Sequence, residues 1–191
     1  MPLVTLNATW KKASADIGNT IKPKKAKKQP DIHFLDTVPS SLQKPDGPHA
    51  LAEGIQLTVA LTDPDAPSRH NPEWSQVCHW IATDVRLTPA GIDGTSALFG
   101  HDQDLTEIMP YKPPGPPAKT GKHRYIFVAL APKNGTTERL HLSTPSDRQR
   151  WGFEGERAGV REWAEENGLG VVGEFSLVLG ILLVWYGVHC G

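Results

Sequence analysis

The stretch IQLTVALTDPDAPSR, residues 55–69, joins an alternating apolar segment to a turn rich in proline and acidic residues. Every second side chain is apolar, which predicts a half-buried β-strand whose buried face comprises Ile55, Leu57, Val59 and Leu61. The motif that follows the strand is Asp63-Pro64-Asp65-Ala66-Pro67-Ser68-Arg69. Its two carboxylates are therefore expected at the end of the strand, two residues apart.

Two further segments place polar side chains on strands. Residues 77–85 alternate in the same way, and we expect one face to hold Val77, His79, Ile81 and Thr83. Residues 123–130 are rich in Tyr, Ile, Phe and Val and form the strongest strand signal, with His123 and Tyr125 on one face. If these strand ends meet, two aspartates, two histidines and a tyrosine converge beside the proline-rich segment 111–117, which is the usual signature of a ligand pocket.

Each of these features also has a purely structural interpretation. The Asp-Pro-Asp-Ala-Pro stretch can be a tight turn whose carboxylates accept backbone hydrogen bonds, and His79 can be a satisfied core histidine. Two Asp and two His side chains could instead ligate a metal ion that activates water. The sequence has no H-E-x-x-H motif, no third carboxylate clustered with these residues and no serine in a nucleophile-elbow context. We therefore expect no catalytic residue, no metal and no cofactor, with a metal-dependent hydrolase as the remote alternative.

Strand signals come first along the chain and helical signals come last. Residues 3–10 and 32–35 favour strands, residues 40–54 a loop, and residues 88–120 an irregular segment. Helical spacing is found only near the end, over residues 146–151 and more clearly over residues 155–167. This order predicts a mainly β fold, with an antiparallel sheet core and peripheral C-terminal helices.

Composition limits the classes of function. The chain has 191 residues and a net charge of −1, from 20 Lys and Arg against 21 Asp and Glu, which argues against general nucleic-acid binding. Its two cysteines cannot form a disulfide framework or a zinc knuckle. The N-terminus does not resemble a signal peptide, so we expect a cytoplasmic location. The basic run at residues 22–28 is interpreted as a solvated loop, with a nuclear import signal as the alternative.

Taken in order and at these separations, the motifs resemble those of the phosphatidylethanolamine-binding protein (PEBP) family. The D-P-D-A-P-S-R signature is present at residues 63–69 without a mismatch, and the G-x-H-R-Y signature at residues 121–125. The expected G-P-P precedes the second signature at residues 115–117. The resemblance covers residues 3–172, and residues 18–23 and 164–170 look most like the fungal carboxypeptidase Y inhibitor branch.

The resemblance implies a fold of two antiparallel sheets with peripheral C-terminal helices and a small anion pocket. It also implies a cis peptide bond before Pro67. The residues of the pocket's frame would be Asp65, Pro67 and Arg69. The ligand-binding residues carried over by position are Asp63, Ala66, His79, Gly115, Pro116, His123 and Tyr125.

An anion pocket must deal with the negative charge of Asp63, since an unpaired carboxylate would repel the ligand by about 4 kcal/mol at 4 Å. We expect Asp63 to hold a histidine as imidazolium, whose other N–H points to the ligand. Anion binding should then tighten as the pH falls through roughly 6.5.

The resemblance implies a non-catalytic regulatory protein that binds a phosphate or carboxylate group such as a phosphoethanolamine headgroup. The leading protein partner is a serine carboxypeptidase, which the protein would inhibit. The alternatives are a regulator of a kinase or Ras pathway and a carrier of lipid headgroups, each using the same pocket. We expect a monomer that contacts no nucleic acid and touches membranes only peripherally.

Both ends depart from the family pattern. Fungal relatives usually have an additional segment before the first strand, and in the carboxypeptidase inhibitor this segment engages the protease. Residues 1–172 are predicted to form the PEBP-like domain, and residues 173–191 an atypical tail without charge from Phe175 to Val188. Fourteen uncharged residues fall short of the ~20 that span a bilayer. Because Gly-Glu-Phe can be encoded with the splice-donor sequence GTGAGT, the tail is interpreted as a retained intron.

Overall fold

The computed structural model describes residues 4–15, 19–36, 54–86, 97–99 and 105–175. Within these residues the chain forms strands, one α-helix and two short 3-10 turns, at 23–25 and 150–152. The elements are β1 Val4–Trp10, β2 Ala13–Ala15, β3 Asp31–Asp36, β4 Gln56–Asp63, β5 Val77–Arg86, β6 Ala97–Phe99, β7 Thr106–Met109, β8 Ile126–Pro132, α1 Val160–Glu166 and β9 Leu169–Phe175.

The strands form two sheets, and every pairing is antiparallel. One sheet has four strands in the order β2-β1-β3-β6, and the other has five in the order β7-β5-β4-β8-β9. This confirms the mainly β fold of two antiparallel sheets. The helical part is smaller than predicted, because the segment 146–151 yields only the 3-10 turn at 150–152.

The α-helix begins at Val160, five residues later than the helical spacing suggested. Gly159 ends the preceding loop, and its N–H donates to Glu162 Oε2 at 2.7 Å, which satisfies one of the free donors at the helix start. A Cβ at Gly159 would lie 2.8 Å from the Gln76 Cβ atom, so this close approach requires glycine.

Strand β4 is buried on both faces, which corrects the predicted half-buried strand. All eight of its residues are buried. Leu57, Val59 and Leu61 belong to the core between the two sheets, whereas Ala60 packs in a second cluster with Trp151, Trp163 and Leu169. The threonines that suggested a solvent face are satisfied internally: Thr58 Oγ1 bonds Thr83 Oγ1 at 3.0 Å, and Thr62 Oγ1 donates to the Val77 carbonyl at 3.2 Å.

Strand β5 contains a β-bulge at His79, which corrects the predicted set of residues on one face. Leu61 pairs with Trp80 but the next residue, Thr62, pairs with Cys78, so His79 is the extra residue. A bulge re-aims side chains. The His79 ring lies edge-on to Tyr125 with the ring centroids 5.0 Å apart, whereas Ile81 belongs to the second core cluster on the other face.

Other predicted segments have mixed outcomes. Strands β1 and β3 occupy the predicted segments 3–10 and 32–35, and the proline-rich segment 111–117 has no regular structure, as predicted. The segment 88–120, predicted to be irregular, contains β6 and β7. Their short length and pairing at sheet edges leave little periodicity to detect.

Strand β9 crosses the domain boundary that was predicted after residue 172. It pairs with β8 as far as Phe175, with Gly173 opposite Ala129. The rest of the predicted tail, residues 176–191, and most of the predicted loop at 40–54 lie outside the described residues. Among the helices that the structure describes, none has the length and apolar character needed to cross a membrane.

Candidate functional site

The end of β4 and the segment before β8 bring Asp63 and His123 together. Both side chains are almost fully buried, and Asp63 Oδ2 lies 2.8 Å from His123 Nδ1. Asp63 Oδ1 accepts the Asp65 backbone N–H at 2.8 Å. The predicted pairing of Asp63 with a histidine is therefore present in the structure, with His123 as the partner.

The second nitrogen of His123 does not face the pocket, contrary to expectation. His123 Nε2 lies 3.0 Å from Thr120 Oγ1, which itself donates to the Pro117 carbonyl at 2.8 Å. The Thr120 hydroxyl thus lies within hydrogen-bond distance of both the ring nitrogen and the carbonyl. Both nitrogens of His123 are engaged inside the protein, by Asp63 and by Thr120.

Asp65 forms a second, separate ion pair. It is 1% exposed, and its carboxylate receives the Arg124 guanidinium at 2.7 Å and the Arg124 backbone N–H at 2.8 Å. Burial raises the pKa of Asp65, but the hydrogen bonds and charge of Arg124 outweigh burial and leave that pKa below its usual range. Arg69, which was predicted as part of the frame, is exposed and acts on Asp65 only through its charge.

His79 enters the site from the bulge in β5 and is anchored by the proline-rich segment. Its Nδ1 lies 2.8 Å from the Lys112 carbonyl, and the Lys112 N–H donates to the His79 carbonyl at 2.7 Å. A carbonyl only accepts, so Nδ1 carries a proton. Burial lowers the pKa of His79 to about 4, so at neutral pH its Nε2 bears a lone pair. In the part of the chain that the structure describes, no residue hydrogen-bonds this Nε2.

Tyr125 lies between the two histidines. Its ring is edge-on to His79 and stacked with His123, at centroid distances of 5.0 and 6.4 Å. Burial and the negative charge of Asp63 raise the pKa of Tyr125, while the nearby Gly115 backbone lowers it by less. The hydroxyl therefore keeps its proton at neutral pH and lies within hydrogen-bonding reach of the Asp63 carboxylate and the Gly115 backbone.

The remaining predicted residues lie in the two loops around these side chains. Ala66 is 6% exposed, and its bond to Pro67 is cis, as the resemblance implied. Pro116 is buried, whereas Gly115 is exposed and has no atom within 3.4 Å of the place where a Cβ would lie. The predicted ligand-binding residues thus fall on β4, the β5 bulge, the segment before β8 and the two loops.

Sequence reasoning missed three residues that hold the site. Arg124 and Thr120 flank His123 in sequence but were not singled out. Arg148 lies far away in sequence, and its guanidinium donates to the carbonyls of Cys78 at 3.1 Å, His79 at 3.3 Å and Pro110 at 2.8 Å. It fastens the β5 bulge to the proline-rich segment. Arg124 is the R of the second signature, which could have drawn attention to it, but no spacing rule points to Arg148.

The described residues hold no group of three or more His, Cys, Asp and Glu side chains arranged to bind a metal ion. The two aspartates of the site form side-chain pairs with other residues. Asp63 is paired with His123 and Asp65 with Arg124, so each of the two carboxylates already has a basic side chain as its partner.

Comparison with known proteins places this geometry in a family. The family model described as phosphatidylethanolamine-binding protein matches residues 11–174. The chain is 32% identical over 170 residues to the carboxypeptidase Y inhibitor of Saccharomyces cerevisiae, covering 84% of this chain and 76% of that protein. It is 30% identical over 139 residues to Protein FLOWERING LOCUS T of Arabidopsis thaliana, covering 72% and 66%.

Solved structures of other proteins have a similar fold. A crystal structure of carboxypeptidase Y inhibitor complexed with its cognate proteinase has 29% identity and a TM-score of 0.73, covering 90% of this chain and 80% of that one. A phosphatidylethanolamine-binding protein from Plasmodium vivax has the same fold, with 18% identity, a TM-score of 0.59 and coverage of 89% and 81%. The chain belongs to the phosphatidylethanolamine-binding protein family, and its similarity to the fungal carboxypeptidase Y inhibitor branch is confirmed.

Proposed function

We propose that this protein is a non-catalytic regulator whose pocket binds a phosphate or carboxylate group, such as that of phosphoethanolamine. One observation carries the proposal. His79 Nε2 is left without a partner among the described residues, in a site where the Tyr125 hydroxyl and the Gly115 amide lie close by. Once His79 takes up a proton, its Nε2–H becomes a donor that an anion in this site can meet.

Proton uptake sets the expected pH dependence. The pKa of His79 is lowered to about 4 in the empty pocket, chiefly by burial. A bound anion favours the imidazolium and raises that pKa. At a pH between the His79 pKa of the free protein and that of the complex, binding takes up one proton. In this range the affinity rises about tenfold for each unit by which the pH falls. The rise therefore continues well below pH 6.5 instead of ending there, because the free group titrates near 4 and not at its ordinary value.

The test is calorimetric titration of phosphoethanolamine at pH 5.5 and 7.5, in two buffers that differ in ionisation enthalpy. We expect saturable binding that is about tenfold or more tighter at pH 5.5, with close to one proton taken up at that pH. His79→Asn keeps a donor toward Lys112 but cannot take up the proton, so it should lose both the binding and the proton uptake. His141→Asn is the matched control, because His141 is exposed. Equal binding by both variants, or no proton uptake, would contradict the proposal.

The proposed protein partner is a serine carboxypeptidase, which this protein would inhibit. Support comes from the 32% identity to a carboxypeptidase Y inhibitor and from the TM-score of 0.73 to that inhibitor in complex with its proteinase. A cytoplasmic location and a monomeric state complete the proposal. Titration of the purified protein against a serine carboxypeptidase tests it: inhibition supports a protease inhibitor, and its absence favours the kinase- or Ras-pathway regulator or the headgroup carrier. Phosphatase turnover that a chelator abolishes would instead point to the metal-dependent hydrolase.

A further inference from the structure

The chain contains two Asn-Gly dipeptides, and they lie side by side in the structure. Asn134-Gly135 follows β8, and Asn167-Gly168 precedes β9. The Lys133 N–H donates to the Gly168 carbonyl at 2.9 Å, so the two turns are in direct contact. Both turns lie at the opposite end of β8 from the anion pocket. The same dipeptide can therefore be compared in two settings on one molecule.

The backbones of the two turns are nearly the same at the glycine. Gly135 has a φ of +69° and Gly168 a φ of +66°, a region that glycine adopts without strain. Each glycine N–H donates to a carbonyl three residues earlier, that of Pro132 at 3.0 Å and that of Glu165 at 3.1 Å. The glycine nitrogen is therefore held equally in both turns, and the turns differ in their asparagine side chains.

The Asn134 side chain is exposed and folds forward over the glycine. Its Oδ1 accepts the Thr136 N–H at 3.1 Å. The ring closed by this hydrogen bond runs through the Asn134 Cγ and the Gly135 nitrogen, so it keeps these two atoms on the same side of the turn. The Thr136 N–H also stabilises negative charge on Oδ1, which favours attack on Cγ. Within the part of the chain that the structure describes, Asn134 Nδ2 has no hydrogen-bond partner.

The Asn167 side chain is half-buried and folds backward over α1. Its Nδ2 donates to the Trp163 carbonyl at 2.8 Å and to Ser143 Oγ at 2.9 Å, and its Oδ1 accepts the Ser143 N–H at 2.7 Å. The side chain thus reaches the residue four positions earlier and a separate loop, away from the Gly168 nitrogen. These three hydrogen bonds must break before the Asn167 Cγ can turn toward that nitrogen.

We propose that Asn134 is a site of spontaneous deamidation and that the fold protects Asn167 from the same reaction. The Gly135 backbone nitrogen attacks Asn134 Cγ and closes a five-membered succinimide. The Cγ–Nδ2 bond breaks, and Nδ2 leaves as ammonia with the proton that the Gly135 nitrogen gives up. Water then opens the succinimide at either carbonyl, which leaves an aspartyl or an isoaspartyl residue at position 134. Gly135 favours the attack because it has no Cβ to obstruct it.

Deamidation changes the charge and the geometry of this turn. The product has one negative charge more than Asn134 and lies next to Lys133. The isoaspartyl form also adds a methylene to the main chain, which displaces the Gly135 N–H from the Pro132 carbonyl. A protein carboxyl methyltransferase that recognises isoaspartyl residues is the class of enzyme that would act on this product.

The experiment follows both dipeptides by peptide mass spectrometry while the full chain is incubated at pH 7.5. Deamidation adds about 1 Da, and isoaspartyl residues are detected by enzymatic methylation. We expect Asn134 to convert at least about tenfold faster than Asn167, because two additional hydrogen bonds hold the Asn167 side chain. In the urea-denatured chain, where these contacts are absent, the two rates should agree within about twofold.

Matched variants test the contact that holds Asn134 forward. Thr136→Pro removes the backbone N–H and should slow the conversion of Asn134 by about threefold or more. Thr136→Val loses the same hydroxyl but keeps the N–H, so it should react like the wild type. An equal rate in both variants would contradict the role assigned to that N–H.

The comparison of native and denatured wild type decides the proposal even if Thr136→Pro does not fold. Equal conversion of both asparagines in the folded protein would overturn it. A preference for Asn134 that persists unchanged in denaturant would also overturn it, since local sequence and not the fold would then set the rates.

Discussion

The candidate pocket has two halves that differ in how completely their polar atoms are used. The frame half, residues 63–69 and 120–125, contains two buried carboxylates, each with its own basic partner: Asp63 with His123, and Asp65 with Arg124. The open half, residue 79 and segment 110–117, anchors one histidine nitrogen on a carbonyl and leaves the other unused. The frame half supplies rigidity, and the open half supplies the position that a ligand can fill.

The difference follows from what each half is made of. Both ion pairs of the frame half connect the end of β4 to the start of β8, two strands that pair in the centre of a sheet. The open half depends on a segment without regular structure. Its Lys112 carbonyl contacts His79 Nδ1, and its Pro110 carbonyl accepts from the Arg148 guanidinium. Carbonyls can accept from a histidine but cannot supply charge, so they orient His79 without fixing its protonation state.

The largest expected effect is the loss of a buried carboxylate from the frame half. Asp65→Asn removes the negative charge beside Arg124, whose side chain is 38% exposed and can partly rehydrate. We expect the free energy of unfolding at pH 7 to fall by about 2–4 kcal/mol, measured by denaturant titration. Arg69→Gln, at an exposed position nearby, should change it by less than about 0.5 kcal/mol.

The sign of the pH dependence checks the same ion pair. The pKa of Asp65 is lowered in the folded protein, so its contribution is present above the ordinary value of 3.8 and is lost as the pH falls through the folded value. The difference between the wild type and Asp65→Asn should therefore shrink on strong acidification. A difference that stays constant from pH 7 to pH 3 would show that shape, and not charge, stabilises the frame half.

A comparable effect, visible only in acid, is expected from the open half. Burial lowers the pKa of His79 from 6.5 to about 4, so below pH 6.5 the unfolded chain binds a proton that the folded chain does not. The contribution of His79 to the free energy of unfolding should fall by about 1.4 kcal/mol per pH unit over this window. Denaturant titrations of the wild type and His79→Asn from pH 7 to 4 measure it as a difference in slope. Parallel slopes would mean that His79 is charged in the empty pocket.

The smallest expected effect separates the two histidines. Thr120→Val removes the hydroxyl that joins His123 Nε2 to the Pro117 carbonyl, which should cost about 1 kcal/mol of stability. Thr120→Ser, which keeps the hydroxyl, is the control. Phosphoethanolamine affinity should stay within about threefold of the wild type, because in the proposed site His79, and not His123, meets the ligand. A marked rise in affinity would instead place His123 Nε2–H among the ligand's donors.

Several features could be predicted from local pattern, and the failures have identifiable causes. The alternation of residues 55–61 located β4 but suggested a solvent face, since the threonine hydroxyls that fill the second core are indistinguishable from exposed ones until their partners are known. The alternation of residues 77–85 assigned His79 to the face of Ile81, because a bulge depends on pairing with a neighbouring strand and leaves no trace in periodicity. The edge strand β7 was missed because its four residues are too few to show an alternating pattern.

By itself the sequence determined the family, the two-sheet fold and the identity of the polar residues at the strand ends, because short motifs fix turns and strand ends through local backbone chemistry. Only the tertiary structure decided which carboxylate meets which cation across about sixty residues of chain, and which histidine keeps a free nitrogen. Those outcomes depend on the register between β4, β5 and β8, and register is set by packing across the whole sheet.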